Sequence, residues 1–135
     1  MTTPALKKPL TGEEYLESLR DGREVWIDGE RVHDVTEHPA FRNATRSVAR
    51  LYDALHDPEL EDVMLTTDRR GIRTHKFFAP AYSSQDLVEA REALKVWSRM
   101  SYGFMGRSPD YKASFMAGLG ADPAWYGPFA DSAEG

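Results

Sequence analysis

Pro39-Ala-Phe-Arg-Asn-Ala-Thr-Arg-Ser-Val-Ala-Arg-Leu-Tyr-Asp-Ala-Leu-His56 is the stretch on which the fold reading turns. Phe41, Ala44, Val48, Leu51 and Leu55 recur at steps of three and four residues, the period of a helix with one buried face. Pro39 suits a first helical position, where a missing N–H costs nothing, and Pro58 lies just beyond the end, where proline commonly stops a helix. Arg42, Arg46 and Arg50 fall between the apolar positions and read as solvated helix surface, or as a contact surface for further chain.

Upstream, Thr11-Gly12-Glu13-Glu14 has the spacing of a capping box, followed by Tyr15, Leu16 and Leu19 on one face of a short helix ending near Asp21-Gly22. Val25 to Val32 places β-formers on both sides of Asp28-Gly29, the dipeptide that most readily supplies the positive φ angles of a two-residue hairpin turn. Downstream, Val63 to Ala79 flanks the turn signal Asp68-Arg69-Arg70-Gly71 and reads as two irregular strands. Ser83 and Ser84 are candidate caps for a long helix, with Leu87, Ala90, Leu94, Trp97 and Ser101 on its buried side, running to about Met105. Ser108-Pro109-Asp110 reads as a new helix start, with a hydroxyl cap, proline at the first position and a carboxylate in the first turn; the helix should reach about Leu119. The expected fold is mainly α with one or two small β-hairpins, in a single domain spanning residues 1–135.

Composition narrows the function. The 135 residues are 41% hydrophobic, enough for one small core. Seventeen basic against 22 acidic residues give a net charge of −5, which offers no field for a phosphate backbone, so nucleic acid is not an expected partner. Cysteine is absent, which removes disulfides, thiolate nucleophiles and cysteine zinc sites. Met1 to Leu10 has no apolar run, and no later stretch approaches the roughly 20 apolar residues of a membrane span; a cytoplasmic location is expected. His33, His38, His56 and His75 are scattered without metal-site spacing, so surface or capping roles are expected and no metal. There is no G-x-S-x-G elbow and no phosphate loop. Gly118-Leu119-Gly120 reads as a helix end, and Glu13 and Glu14 as first-turn carboxylates facing a helix dipole. Trp97, Tyr102, Phe104, Phe115, Trp125 and Tyr126 could line an aromatic pocket, but core packing is the commoner use of such residues.

One constellation could bind a ligand. Arg107 immediately precedes the expected helix start at Pro109, and Tyr111 lies in that helix's first turn. A helix N-terminus offers unpaired N–H groups and partial positive charge, and a guanidinium adds a full charge, so the pair could hold a phenolate oxygen. Taken alone R-x-x-x-Y is a weak pattern, and by spacing a surface arginine and a packing tyrosine are the commoner outcome.

Seven segments carry a further indication. They are Thr11–Leu16 (TGEEYL), Asp21–Glu24 (DGRE), Gly29–Val32 (GERV), His38–Asn43 (HPAFRN), Leu51–His56 (LYDALH), Thr74–Phe78 (THKFF) and Tyr102–Lys112 (YGFMGRSPDYK). In this order they resemble the front portion of the oxygenase component of 4-hydroxyphenylacetate 3-monooxygenase, a family of two-component phenol hydroxylases. The resemblance implies an oxygenase that receives reduced FAD from a separate flavin reductase component and uses O2 to hydroxylate a para-substituted phenol beside its hydroxyl. It implies a phenolic small-molecule substrate and, in full-length relatives, a homo-oligomer. It also implies the N-terminal helical region of an acyl-CoA dehydrogenase-like flavoprotein, whose flavin-binding β-domain and C-terminal helical bundle are absent here, in the remainder of the oxygenase or in a second chain. In that family the arginine and tyrosine of the G-R-S/T-P-D-Y segment bind the phenolic oxygen; they fall on Arg107 and Tyr111, with Ser108, Pro109 and Asp110 holding the helix start. No catalytic residue is assigned within the chain, and FAD is not expected to be held by this segment alone. The alternative is a stand-alone helical phenol-binding or protein-interaction module without catalytic activity.

Overall fold

Thr11 opens the first helix, α1 (Gly12–Ser18), with the expected capping box: its side chain accepts from the Glu14 N–H, and Glu14 accepts from the Thr11 N–H at 2.7 Å. The computed structural model describes residues 8–69, 71–103, 109–126 and 128, and at 109–111 the backbone alone. The element order continues with β1 (Val25–Ile27), β2 (Glu30–Val32), α2 (Arg42–Ala54), α3 (Glu61–Met64), β3 (Leu65–Thr67), β4 (Arg73–His75), α4 (Ser84–Met100) and α5 (Pro109–Leu119). Short 3-10 turns occupy Lys76–Phe78 and Pro123–Trp125. The chain is thus mainly helical with two small antiparallel hairpins, as its periodicities indicate.

Both hairpins sit on the expected turns. β1 and β2 pair Val25 with Val32 and Ile27 with Glu30, and the turn residues Asp28 and Gly29 have φ of 51° and 80°, the paired positive angles of a type I′ turn. β3 and β4 pair Leu65 with His75 and Thr67 with Arg73. The boundaries around them are tighter than the sequence suggests. Val63 belongs to a helical turn, α3, rather than to a strand, and α1 stops at Ser18, short of Asp21.

The central helix α2 buries Leu51 and Leu55 as expected, but its first half presents other residues inward. It begins at Arg42, because a turn in which the Phe41 and Arg42 N–H groups both donate to the His38 carbonyl occupies the residues after Pro39. Its buried residues are Thr45, Ala49, Leu51 and Ala54, whereas Ala44 is exposed and Val48 only half-buried. Thr45 can face inward because its hydroxyl donates to the Arg42 carbonyl at 3.0 Å, leaving its methyl for packing. The small residue at 49 follows from what lies against it. Gly12 of α1 approaches so closely that its N–H donates to Asp53 Oδ1 at 2.7 Å. Tyr15 and Tyr52 stack across the same contact with ring centroids 4.8 Å apart.

The core joins α2 to everything downstream. Leu51, Ala54 and Leu55 meet Met64, Leu65, Phe77, Trp97 and Ala113, with Met64 and Phe77 at 0% and 1% exposure. Each fully buried large side chain contributes roughly 1.5–3 kcal/mol. α4 starts with a second capping box, Ser83 with Asp86, and buries Ala93 and Trp97. Leu87, expected on its inner side, is 63% exposed, because the helix meets the core only from about Ala90 onward.

A Cβ on Gly12 would stand 2.5 Å from Asp53 Oδ2 and 2.6 Å from the Ala49 carbonyl oxygen. Gly12→Ala should therefore force α1 away from α2 and destabilise the fold by about 1–3 kcal/mol, seen as a lowered midpoint in urea unfolding followed by circular dichroism. An unchanged midpoint would show that α1 docks with slack.

Candidate functional site

α4 ends in a sharp reversal that sets where the next helix can begin. Ser101 caps it, its hydroxyl donating to the Trp97 carbonyl at 3.1 Å, and the Gly103 N–H donates to the Ser98 carbonyl at 2.8 Å. Tyr102 and Gly103 have φ of 53° and 69°, so two successive left-handed residues turn the chain out of the helix. This stops α4 at Met100, five residues before the expected end near Met105. α5 then starts at Pro109 and ends at Leu119, as the Ser108-Pro109-Asp110 signal indicates, and the Gly120 N–H closes it on the Met116 carbonyl at 2.9 Å.

Of the expected site residues, Arg107 and Ser108 lie outside the described residues, as does Phe104. Pro109, Asp110 and Tyr111 form the first turn of α5, where the backbone alone is described. The element that carries Tyr111 is thus placed, and what holds it can be traced. α5 packs on the 3-10 turn Lys76–Phe78: Ala113 is buried in the core, and the Ser114 hydroxyl donates to the Phe77 carbonyl at 3.2 Å.

That turn rests on an aromatic group not evident in the sequence. His75, read as one of four scattered histidines, is 2% exposed. Its Nδ1 accepts from the Phe77 N–H at 3.3 Å, and its ring lies 5.4 Å from that of Trp97, nearly perpendicular to it. Phe77 and Trp97 rings are 5.2 Å apart. With Nδ1 accepting, the neutral ring carries its proton on Nε2; His75 Nε2 and Trp97 Nε1 are buried without a hydrogen-bond partner. Burial, and then the charge of Lys76, push the His75 pKa down to about 3. Only the last of the three β4 residues is buried, so the strand is too short to show an alternation from which the inward turn of His75 could be read. Two further histidines meet backbone groups. His38 Nδ1 accepts from the Ala40 N–H at 3.2 Å, and His56 Nε2 lies 3.2 Å from the Leu10 carbonyl.

The aromatic residues divide differently from the core reading. Trp97 is buried, but Tyr102 is 91% exposed, and Phe115, Trp125 and Tyr126 are also exposed. The inward face of α5 carries Ala113, since the close approach to the Phe77 turn leaves room only for a small side chain. Arg42, Arg46 and Arg50 are exposed, as expected.

A second polar feature lies at the first hairpin, where a cleft of about 280 Å³ is lined by Leu19, Arg20, Arg23, Val32, His33 and Asp34 among others. Its guanidinium groups are already engaged: Arg20 with Glu17, Asp34 and Thr36, and Arg23 with Asp21. Hydrogen bonds from Arg23 hold the Asp21 carboxyl down at about 2. Neutralised arginines make this cleft unsuited to the phosphates of a dinucleotide. Among the described residues no helix is long and apolar enough to cross a membrane.

Comparison with known proteins places this geometry. The sequence profile described as 4-hydroxyphenylacetate 3-hydroxylase N terminal matches residues 11–134. The oxygenase component of 4-hydroxyphenylacetate 3-monooxygenase from Klebsiella oxytoca is 61% identical over 129 residues, which cover 94% of this chain and 25% of that protein. The oxygenase component of 4-nitrophenol 2-monooxygenase from a Rhodococcus species is 60% identical over 128 residues, covering 93% of this chain and 25% of that protein. A crystal structure of the oxygenase component (HpaB) of 4-hydroxyphenylacetate 3-monooxygenase, complexed with FAD and 4-hydroxyphenylacetate, superposes with a TM-score of 0.81 at 36% identity, over 93% of this chain and 26% of that one. The chain spans about a quarter of the length of these relatives.

The buried histidine has a consequence in acid. Its folded pKa lies below its ordinary 6.5, so between about pH 3 and 6.5 the unfolded chain binds the extra proton. The stabilisation is fully present above pH 6.5 and drains away as pH falls toward 3. Unfolding free energy should therefore decline by up to about 1.4 kcal/mol per pH unit below pH 6, and His75→Gln should remove that component from urea titrations at pH 7, 6 and 5. An unchanged pH slope in the variant would assign the acid sensitivity elsewhere.

Proposed function

Because this chain belongs to the 4-hydroxyphenylacetate 3-hydroxylase N-terminal family, we propose that it forms the phenol-binding front of a reduced-FAD-dependent aromatic monooxygenase. The observation that carries the proposal is the match over residues 11–134, joined to identities of about three in five with oxygenase components acting on para-substituted phenols. The reaction is ortho-hydroxylation of a phenol of the 4-hydroxyphenylacetate type to a catechol with O2. A flavin reductase component supplies FADH2. The flavin-binding β-domain and helical bundle belong to the remainder of the oxygenase, which assembles as a homo-oligomer in the cytoplasm.

Arg107 and Tyr111 carry the substrate role in this proposal. Reduced flavin with O2 supplies an electrophilic oxygen when bound, so the ring must be made electron-rich. A guanidinium beside the phenolic oxygen favours the phenolate and raises electron density at the ortho carbon. A tyrosine hydroxyl bonded to the same oxygen fixes the ring's orientation. The start of α5 at Pro109 adds the positive end of the helix dipole, which favours an anion. Pro109 stands at the first helical position, where its missing N–H costs nothing.

The natural polypeptide that carries this sequence, supplied with a flavin reductase, NADH, FAD, O2 and 4-hydroxyphenylacetate, should form the corresponding catechol. Arg107→Ala should weaken phenol binding roughly 10- to 100-fold, the effect expected for a charge-assisted hydrogen bond, measured by calorimetric titration. Phenol binding without hydroxylation would instead identify a binding module, and unchanged affinity in the variant would remove Arg107 from the site.

A further inference from the structure

The first turn of α5 is only as well placed as the contacts that hold the helix, and among the described residues these lie on one narrow face. Ala113 is 8% exposed and packs in the core, whereas Phe115 and Met116 are each 63% exposed and Leu119 43%. Apolar packing is non-directional: it holds a helix against a surface but leaves it free to slide or roll by fractions of a turn. The Ser114 hydroxyl bond to the Phe77 carbonyl, 3.2 Å long, is directional and fixes both the rotation and the axial position of α5.

The acceptor is itself held rigidly. Phe77 is 1% exposed, and its N–H donates to His75 Nδ1. The adjoining Lys76 ammonium donates to the Asp62 carbonyl at 2.9 Å and lies 3.4 Å from Glu89 Oε2, which ties the turn to α3 and α4. The Ala79 N–H, at 3.2 Å from the Lys76 carbonyl, closes the turn. A carbonyl at the end of so short a helix has no partner within it, and the Ser114 hydroxyl meets that need from the neighbouring element. Tyr111 lies three residues before Ser114, roughly 4.5 Å along the helix axis at 1.5 Å per residue.

We propose that Ser114 is a positioning residue for the phenol site, locking the start of α5 in register through the Phe77 carbonyl. The inference rests on the phenol-binding reading given above. Loss of the hydroxyl leaves Ala113 in the core, so the protein still folds, but the helix start is released by the fraction of an ångström that matters when two groups must converge on one oxygen.

The test uses the natural polypeptide carrying this sequence, with 4-hydroxyphenylacetate as the probe. Ser114→Ala should raise the dissociation constant, read by calorimetric titration, and the KM for the phenol about fivefold, the worth of one ordinary hydrogen bond. It should also lower the amount of catechol formed per reduced FAD consumed, with kcat at saturating phenol changed less than twofold. Ser114→Thr, which keeps the hydroxyl, should restore both readouts, and Ser114→Cys, with a weaker donor of similar size, should fall between. A Ser114→Ala protein with a lowered melting temperature but unchanged phenol affinity and unchanged yield per FADH2 would show a merely structural bond and overturn the proposal. If Ser114→Ala does not fold, Ser114→Cys decides on the same readouts. Failure of the unsubstituted polypeptide to bind phenol would overturn the phenol reading itself.

Discussion

The contact on which the structure turns is the burial of Phe77 between α2, α4 and α5. A three-residue 3-10 turn has little stability of its own, since its few internal hydrogen bonds are poorly aligned. Here it persists because its central side chain is surrounded by Leu51, Leu55, Met64 and Trp97, and because every exit from the turn is tied down. His75 takes the Phe77 N–H, Ser114 takes the carbonyl, and Lys76 reaches Asp62 and Glu89. The second hairpin, the long helix and the last helix are thereby referred to one point. Within that group His75 is held neutral by burial, which makes the centre of the fold one of its acid-sensitive parts.

A second constraint organises the front. α1 is seven residues long, too short to be stable by propensity, and depends on its capping box and on the approach of Gly12 to α2. The Asp53 carboxylate accepts from an N–H at the start of α1, where helix dipole and hydrogen bond act in the same direction. The tyrosine stack between Tyr15 and Tyr52 continues the interface by one turn. Small residues at 12 and 49 are thus requirements of distance, which explains why Ala49 rather than Val48 is buried in the first half of α2.

Local signals in the sequence were legible where local physics decides. The caps at Thr11 and Ser83, the positive-φ turn at Asp28-Gly29, the start of α5 at Pro109 and its end before Gly120 are each set by a few adjacent residues, and all lie where those residues place them. Faces were less legible than elements. Leu87 and Ala44 are exposed, and Thr45 and His75 buried, because burial depends on which neighbour arrives and how near it comes. A hydroxyl satisfied by its own helix, as in Thr45, passes for an apolar residue once folded; a histidine whose Nδ1 caps a turn does the same. For the candidate site, the sequence marks the element and the chemistry at Arg107 and Tyr111, but not the support. Ser114 carries no motif, and its role follows only from the carbonyl it meets.

The distribution of side chains on α5 bears on how such a site is completed. A helix of a self-contained domain turns its large apolar residues inward; α5 turns Ala113 inward and leaves Phe115, Met116 and Leu119 exposed, with Trp125 and Tyr126 exposed beyond it. A small-residue inner face brings the helix backbone close to the Phe77 turn, where a hydroxyl can reach a carbonyl, and so favours precision over buried area. The large outer residues then remain for contacts elsewhere. A helix anchored on one face by a directional bond and presenting apolar side chains on the other is held in register with the core while its opposite face stays available for further contacts.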